Sequence, residues 1–207
     1  GLSVFSNFPH LTASMADFGV VNNAPFKGDT LVSVKSFKVV VDFWSLFGDK
    51  YQIKEVILDQ PRIQVHVLED GTANYDIAKA SSDTAVAEDT AQSSPFALEV
   101  QRWEINNGYL LYNDRQIKTW AEVNKLNHSG SGDITATEYD LDTKTTIESL
   151  NYQLEGVEYL SNKAIDLDML LHINMDEFKF TFKENTLKVN DLALGFDGWY
   201  AMPDENP

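Results

Sequence analysis

From Ile165 to Met175 every second residue is large and apolar: Ile165, Leu167, Met169, Leu171, Ile173 and Met175 fall in one phase. The other phase holds Asp166, Asp168, His172, Asn174 and, one step on, Asp176, with Leu170 the exception. A period of two is the signature of a β-strand with one dry and one wet face. At about 3.3 Å per residue this strand runs roughly 36 Å, about twice the usual length. A chain that builds several such strands makes a broad, one-sided apolar surface, and its function turns on what covers that surface.

The same pattern recurs along the chain. Leu31 to Phe43 alternates, with Leu31, Phe37, Val39, Val41 and Phe43 in phase, and an earlier strand is predicted between Leu11 and Val21. The stretch Asn23-Ala24-Pro25-Phe26-Lys27-Gly28-Asp29 reads as the turn that joins them. Alternation breaks at Asp42-Phe43-Trp44-Ser45-Leu46-Phe47-Gly48. This predicts a single helical turn, with Phe43, Trp44, Leu46 and Phe47 plugging one end of the sheet. Strands follow at Tyr51–Leu58 and Arg62–Leu68, separated at Pro61, which cannot donate to a ladder. Lys79 to Ser94 is built of Ala, Ser, Asp, Thr, Glu and Gln, so a mobile linker, open to proteolysis over Ala80 to Ser94, is expected there.

Beyond the linker, Phe96–Ile105 and Tyr109–Tyr112 read as strands around an Asn106-Asn107-Gly108 turn. The run Lys54 to Val65 is faintly echoed by Gln101 to Tyr112, each reading strand, polar break, strand. Further strands are predicted at Ser131–Tyr139, Thr145–Leu154, Ala164–Met175, Phe178–Lys183 and Leu187–Phe196. Phe178, Phe180 and Phe182 share a face, and a phase slip at Asn190-Asp191 predicts a β-bulge. Short links between sequential strands give an antiparallel meander. A closed β-sandwich, as in an adhesion or carbohydrate-binding module, would bury the same residues and stays open at this point.

Composition narrows the function classes. The chain of 207 residues is 43% apolar and 12% aromatic, enough for an ordered fold. Its formal net charge of −16 opposes nucleic acid and anionic membrane surfaces. With no cysteine there is no disulfide, thiolate metal site or cysteine nucleophile. No apolar run reaches the roughly 20 residues of a membrane helix, and no signal segment opens the chain. Because it starts and stops in mid-pattern, a piece of a longer protein is expected. No nucleophile elbow, phosphate loop or His-Glu-x-x-His is present, and no enzyme activity, cofactor or metal is expected. His10, His66, His128 and His172 are scattered, and Asp166 with Asp168 reads as a solvated face rather than a catalytic or calcium-binding pair. Trp103, Trp120 and Tyr112 could stack on sugars but fit cross-strand pairing better.

The order of features from Leu11 to Asp76 resembles the start of the AsmA family of bacterial envelope proteins, relatives of the chorein-type lipid-transfer proteins. An apolar strand, Leu31 to Asp42, precedes the Phe43-Trp44-Ser45-Leu46-Phe47-Gly48 turn. Then come Ile53-Lys54-Glu55-Val56, Pro61-Arg62-Ile63 and the Asp70-Gly71-Thr72-Ala73-Asn74 end. Glu104 to Asp114 and Asn185 to Leu192 are similar to later strand pairs of the family. The resemblance implies a mainly β fold, a long curved antiparallel meander forming an open groove, with a short helical turn near the N-terminus. It divides the chain into groove segments 1–79 and 96–207 joined by a linker, 80–95. It also implies a periplasmic location, an inner-membrane anchor outside this sequence, and a role in lipid transport and outer-membrane biogenesis. The partner would be a phospholipid or other acyl-chain lipid, lying against Phe37, Val39, Val41, Ile165, Leu167, Met169, Leu171, Ile173, Met175, Phe178, Phe180 and Phe182.

Overall fold

The computed structural model describes residues 2–3, 9–48, 51–76, 98–134 and 136–202, and these residues form one twelve-stranded sheet. In chain order the strands are β1 (Leu2–Ser3), β2 (His10–Val21), β3 (Thr30–Asp42), β4 (Tyr51–Asp59), β5 (Arg62–Val67) and β6 (Leu98–Val100). They continue as β7 (Arg102–Asp114), β8 (Thr119–Ser131), β9 (Glu138–Leu154), β10 (Val157–Asn174), β11 (Lys179–Val189) and β12 (Leu192–Ala201). A 3-10 turn at Trp44–Phe47 follows β3. The expected linker 80–95 lies outside the described residues.

The strands lie side by side in chain order, and β5 extends the line of β4 while β6 extends that of β7. Pro61 separates β4 from β5 without disturbing the register on β3: Ser36 faces Asp59 and Ser33 faces Arg62. Its carbonyl still accepts the Tyr109 N–H at 2.8 Å, so only the missing N–H interrupts the ladder.

Pairing is antiparallel except where β4 and β5 meet β6 and β7, which is parallel. A parallel neighbour needs a long return connection. The end of β5 and the start of β6 lie at opposite ends of a strand line of roughly 50 Å. The parallel pairing also accounts for the faint internal echo. Val56 faces Trp103, Ile57 faces Glu104 and Arg62 faces Tyr109, the same offset at which the two sequences echo one another. The strands before and after residues 68–97 therefore meet edge to edge within one sheet, β4 and β5 against β6 and β7.

Several strand boundaries differ from the sequence expectation. Asn106-Asn107-Gly108 is no turn but part of β7, where Asn107 is left-handed (φ 53°). β8 was not expected, because its alternation changes phase at Lys125, also left-handed (φ 51°). β9 extends the expected strand at Thr145–Leu154 back to Glu138, and all but the two ends of the expected strand at Ser131–Tyr139 falls between β8 and β9. The slip at Asn190-Asp191 is a tight turn between β11 and β12 rather than a bulge. The irregularity in β11 falls instead at Glu184 (φ 52°), between Phe182 and Asn185.

Left-handed residues line up across the sheet: Asp17 in β2, Gln60 between β4 and β5, Asn107 in β7 and Lys125 in β8. Their effect is visible at Gly108. A Cβ there would approach Ile105 Cγ2 to 3.1 Å and Leu126 Cβ to 3.5 Å, so positions 105 and 108 lie on the same side. The alternation has changed phase, as a bulge-type residue allows. The apolar residues after the switch, Leu110 and Tyr112, thus stay on the side of Trp103 and Ile105. Because neighbouring strands switch at the same level, Asp59–Asn106 and Arg62–Tyr109 keep one register.

The Asp70–Asn74 motif seals the end of β5. Asp70 Oδ1 accepts the Thr72 N–H at 2.9 Å, and Gly71 takes the left-handed φ of 84° that the turn requires. Asn74, 3% exposed, then fills the ladder where β3 has ended: Oδ1 accepts the His66 N–H (2.9 Å) and Nδ2 donates to the Gln64 carbonyl (2.7 Å). Asn74→Ala leaves both backbone groups unpaired and is expected to destabilise the protein by about 1–3 kcal/mol in urea unfolding.

Among the described residues the buried hydrophobic side chains are few: Phe26, Val34, Val40, Val67, Ala73 and Ile173. A sandwich requires two packed sheets. The described residues form a single sheet with no second sheet over it, which removes the sandwich alternative.

Candidate functional site

The strand registers assemble the apolar phases into rows that cross the sheet. One row runs Met15, Phe37, Leu58, Ile105, His128, Thr145, Leu167, Leu187, Leu194, each residue facing the next on the neighbouring strand. Beside it lies Ala13, Val39, Val56, Trp103, Gly130, Thr143, Met169. Towards the β8–β9 connection, Leu141 faces Leu171 and Leu171 faces Phe182, while Tyr139 faces Ile173 and Ile173 faces Phe180. On the other flank Ile147, Ile165, Val189 and Leu192 continue the pattern, while Leu11, facing Val41, lies beyond Ala13 and Val39 on the flank of Leu171. Most of these side chains are half-buried: they shield one another laterally and stay open above.

Ten of the expected lining residues, Phe37, Val39, Val41, Ile165, Leu167, Met169, Leu171, Ile173, Phe180 and Phe182, therefore fall on one apolar side. Met175 and Phe178 lie in the β10–β11 turn and are exposed, Phe178 in a left-handed conformation (φ 44°). Phe43, Trp44 and Phe47 cluster edge to face, with ring centroids 5.4 Å and 5.5 Å from Phe43. Asp42 Oδ1 caps their turn by accepting the Trp44 and Ser45 N–H groups at 2.9 and 3.1 Å. With Leu46 the turn sits at the ends of β3 and β4, and Trp44 and Phe47 remain 63% and 75% exposed.

The centre of the apolar side carries a polar group that sequence reasoning missed. Trp103 lies over Gly130, where a Cβ would meet the indole Cζ2 at 2.1 Å. The indole Nε1–H donates to His128 Nε2 at 3.0 Å, and His128 Nδ1 is 2.9 Å from Thr145 Oγ1. Burial pushes the His128 pKa down, which keeps the ring neutral. Next to them Thr143 is buried, its hydroxyl donating to the Met169 carbonyl at 3.4 Å. The sequence signal was present: Gly130, Thr143 and Thr145 occupy positions in phase with Leu126, Leu141 and Ile147.

The opposite side is laced by charge. Lys38 and Arg102 flank Glu55 at 3.1 and 3.6 Å, Arg102 also bonds Glu104, and Lys144 pairs with Asp168 at 3.0 Å. His172 places Nδ1 2.9 Å from Asp140 and Nε2 3.0 Å from Glu138, while Lys183 reaches Asp140 at 3.3 Å. Hydrogen bonds from His172 and Lys183 hold the Asp140 carboxyl below the usual carboxylate range. Asp168 thus belongs to a cross-strand ion pair. Among the described residues no three His, Asp or Glu side chains come together as a metal site. The four histidines lie on four different strands.

A hollow of about 720 Å³ lies at the row of left-handed residues, lined by Asp17, Lys35, Gln60, Arg62, Asn107 and Lys125 among others. Arg62 stacks on the Tyr109 ring at 4.3 Å there. The aromatic residues considered for sugar stacking do not share a platform: Tyr112 faces Ala121, Trp120 faces Asn113 on the other side, and Trp103 lies on Gly130. Among the described residues no helix is long and apolar enough to cross a membrane.

The model of the AsmA family matches residues 5–174. No curated protein and no solved structure matches the chain.

Proposed function

The chain belongs to the AsmA family, a family of the bacterial envelope that is not a known enzyme family, and from that premise we propose that it is a non-enzymatic, lipid-binding segment. Its apolar side is a groove that takes the acyl chains of phospholipid or a similar lipid. The observation that carries this reading is the set of apolar rows that cross the sheet with no layer above them among the described residues. Taking an acyl chain from a bilayer costs about 0.8 kcal/mol per methylene, so a sixteen-carbon chain needs a dry surface returning roughly 12 kcal/mol. Leucine, isoleucine, valine, methionine and phenylalanine at sheet spacing supply such a surface. Ten strand positions at about 4.8 Å span roughly 48 Å, close to one bilayer thickness.

In this reading the protein works in the periplasm, tethered to the inner membrane by an anchor outside this sequence. It contributes to phospholipid movement between the inner and outer membranes and so to outer-membrane assembly. Segments 1–79 and 96–207 act as two parts of one groove joined by 80–95, and the Phe43–Phe47 turn closes its end. Native mass spectrometry of the purified chain tests the proposal. Co-purifying phospholipid is expected, and delipidated protein should take up a fluorescent fatty-acyl probe. A chain that purifies free of lipid and ignores the probe overturns it.

A further inference from the structure

We propose that the His128–Thr145 pair is a hydrogen-bonding station for the uncharged ester carbonyl of an acyl lipid, set midway along the apolar side. The inference rests on the groove reading above and names the part of the ligand that this position recognises.

The chemistry follows from the donors. An indole N–H can only donate, so His128 Nε2, 3.0 Å from Trp103 Nε1, must be the bare, accepting nitrogen. The neutral ring then carries its proton on Nδ1 and donates it to Thr145 Oγ1 at 2.9 Å. The Thr145 hydroxyl is thereby filled as an acceptor on that side. Its own O–H has no acceptor among the described residues, and it stands on the same side as Ile105 and Leu167, in the row that links them.

A donor placed between Ile105 and Leu167 works against a plain hydrocarbon ligand. An alkyl chain laid over Thr145 strips water from the hydroxyl and returns nothing. A ligand with an oxygen acceptor at that point restores the bond. Charge selects further, because a carboxylate or phosphate brought among these aliphatic side chains would itself have to be desolvated. An ester carbonyl is an acceptor with no net charge, and in a glycerolipid it sits where the acyl chain begins. The flat indole on Gly130 complements it by offering an apolar floor whose only polar atom is already bonded inward. The lowered His128 pKa maintains this arrangement, since an imidazolium would turn Nε2 into a donor and break the Trp103 bond.

Two fluorescent probes of matched length separate the possibilities: a diacylglycerol analogue, which carries esters, and an alkane without oxygen. Binding of both is measured for the parent, Thr145→Val, which keeps the shape and removes the hydroxyl, and Thr145→Ser, which restores it. Circular dichroism confirms that each variant is folded. Thr145→Val is expected to weaken the ester probe about three- to tenfold, to leave the alkane unchanged or slightly tighter, and to be rescued by serine. Unchanged ester binding in Thr145→Val overturns the inference while leaving the groove reading intact. Equal weakening of both probes also overturns it, since that pattern marks a purely structural threonine. If the parent binds neither probe, the groove reading itself fails.

Discussion

Leu171→Asp leaves the sheet folded and removes most of its capacity to bind an acyl probe. Leu171 lies between Leu141 of β9 and Phe182 of β11 on the apolar side, half-buried by them and open above. Under a second protein layer the new carboxylate would be an unpaired buried charge, commonly enough to unfold a domain. Here it can turn to water, and the loss is confined to lateral packing, about 1–2 kcal/mol. Binding suffers far more. Every methylene that faced Leu171 now faces a hydrated charge, and probe affinity is expected to fall at least about tenfold, the equivalent of about two methylene transfers. Met169→Asp, one row away, behaves alike. Thermal unfolding and probe titration check both, and either an unfolded Leu171→Asp or undiminished binding contradicts the expectation.

The control on the other side of the sheet has to be chosen from the structure. By alternation alone His172→Asp should be silent, because residue 172 is on the wet phase. Yet His172 stands against Asp140 and Glu138, so aspartate there would add a third negative charge to a pair now held by hydrogen bonds. Ser129→Asp is the better choice. Ser129 faces Glu104 on one neighbour and Lys144 on the other, so a carboxylate there meets a nearby cation and leaves stability and probe binding nearly unchanged.

Gly130→Val is expected to be among the most damaging single changes on the sheet. A Cβ alone would come within 2.1 Å of the Trp103 ring, and neither the ring nor the strand backbone can yield without losing the Nε1–H bond to His128. Overpacking of this kind costs about 1–3 kcal/mol, and the stranded indole N–H adds about 1–3 kcal/mol when it stays buried. Trp103→Ala in the same chain should recover much of the loss, because the added side chain then enters the space the indole left. Urea unfolding of the two single variants and the double variant measures the coupling. Additive losses would show that Gly130 and Trp103 do not exclude one another as the geometry requires.

What could be read before folding was local. The alternation from Ile165 to Met175 determines a long one-sided strand, because side chains on an extended backbone point alternately whatever lies next to them. The Leu11–Asp76 pattern identified the family, and Pro61 and the Asp70–Asn74 end were recognisable since each acts on its own stretch of backbone. Three things were decided only in three dimensions. The neighbour of β4 and β5 is a parallel strand beyond a long connection, and the Lys54–Val65 echo carried no sign of direction until the two segments were seen paired. The phase switches fall on Asp17, Gln60, Asn107 and Lys125, none of them glycine and only Asp17 and Asn107 of types that favour the left-handed region, so strands such as β8 lost their alternation on paper while keeping one apolar side in space. Last, whether the apolar phases are covered depends on contacts between residues far apart in the chain. The same alternating sequence serves a buried core or an open face, and only the arrangement of the described residues in a single sheet shows that nothing among them lies over the face.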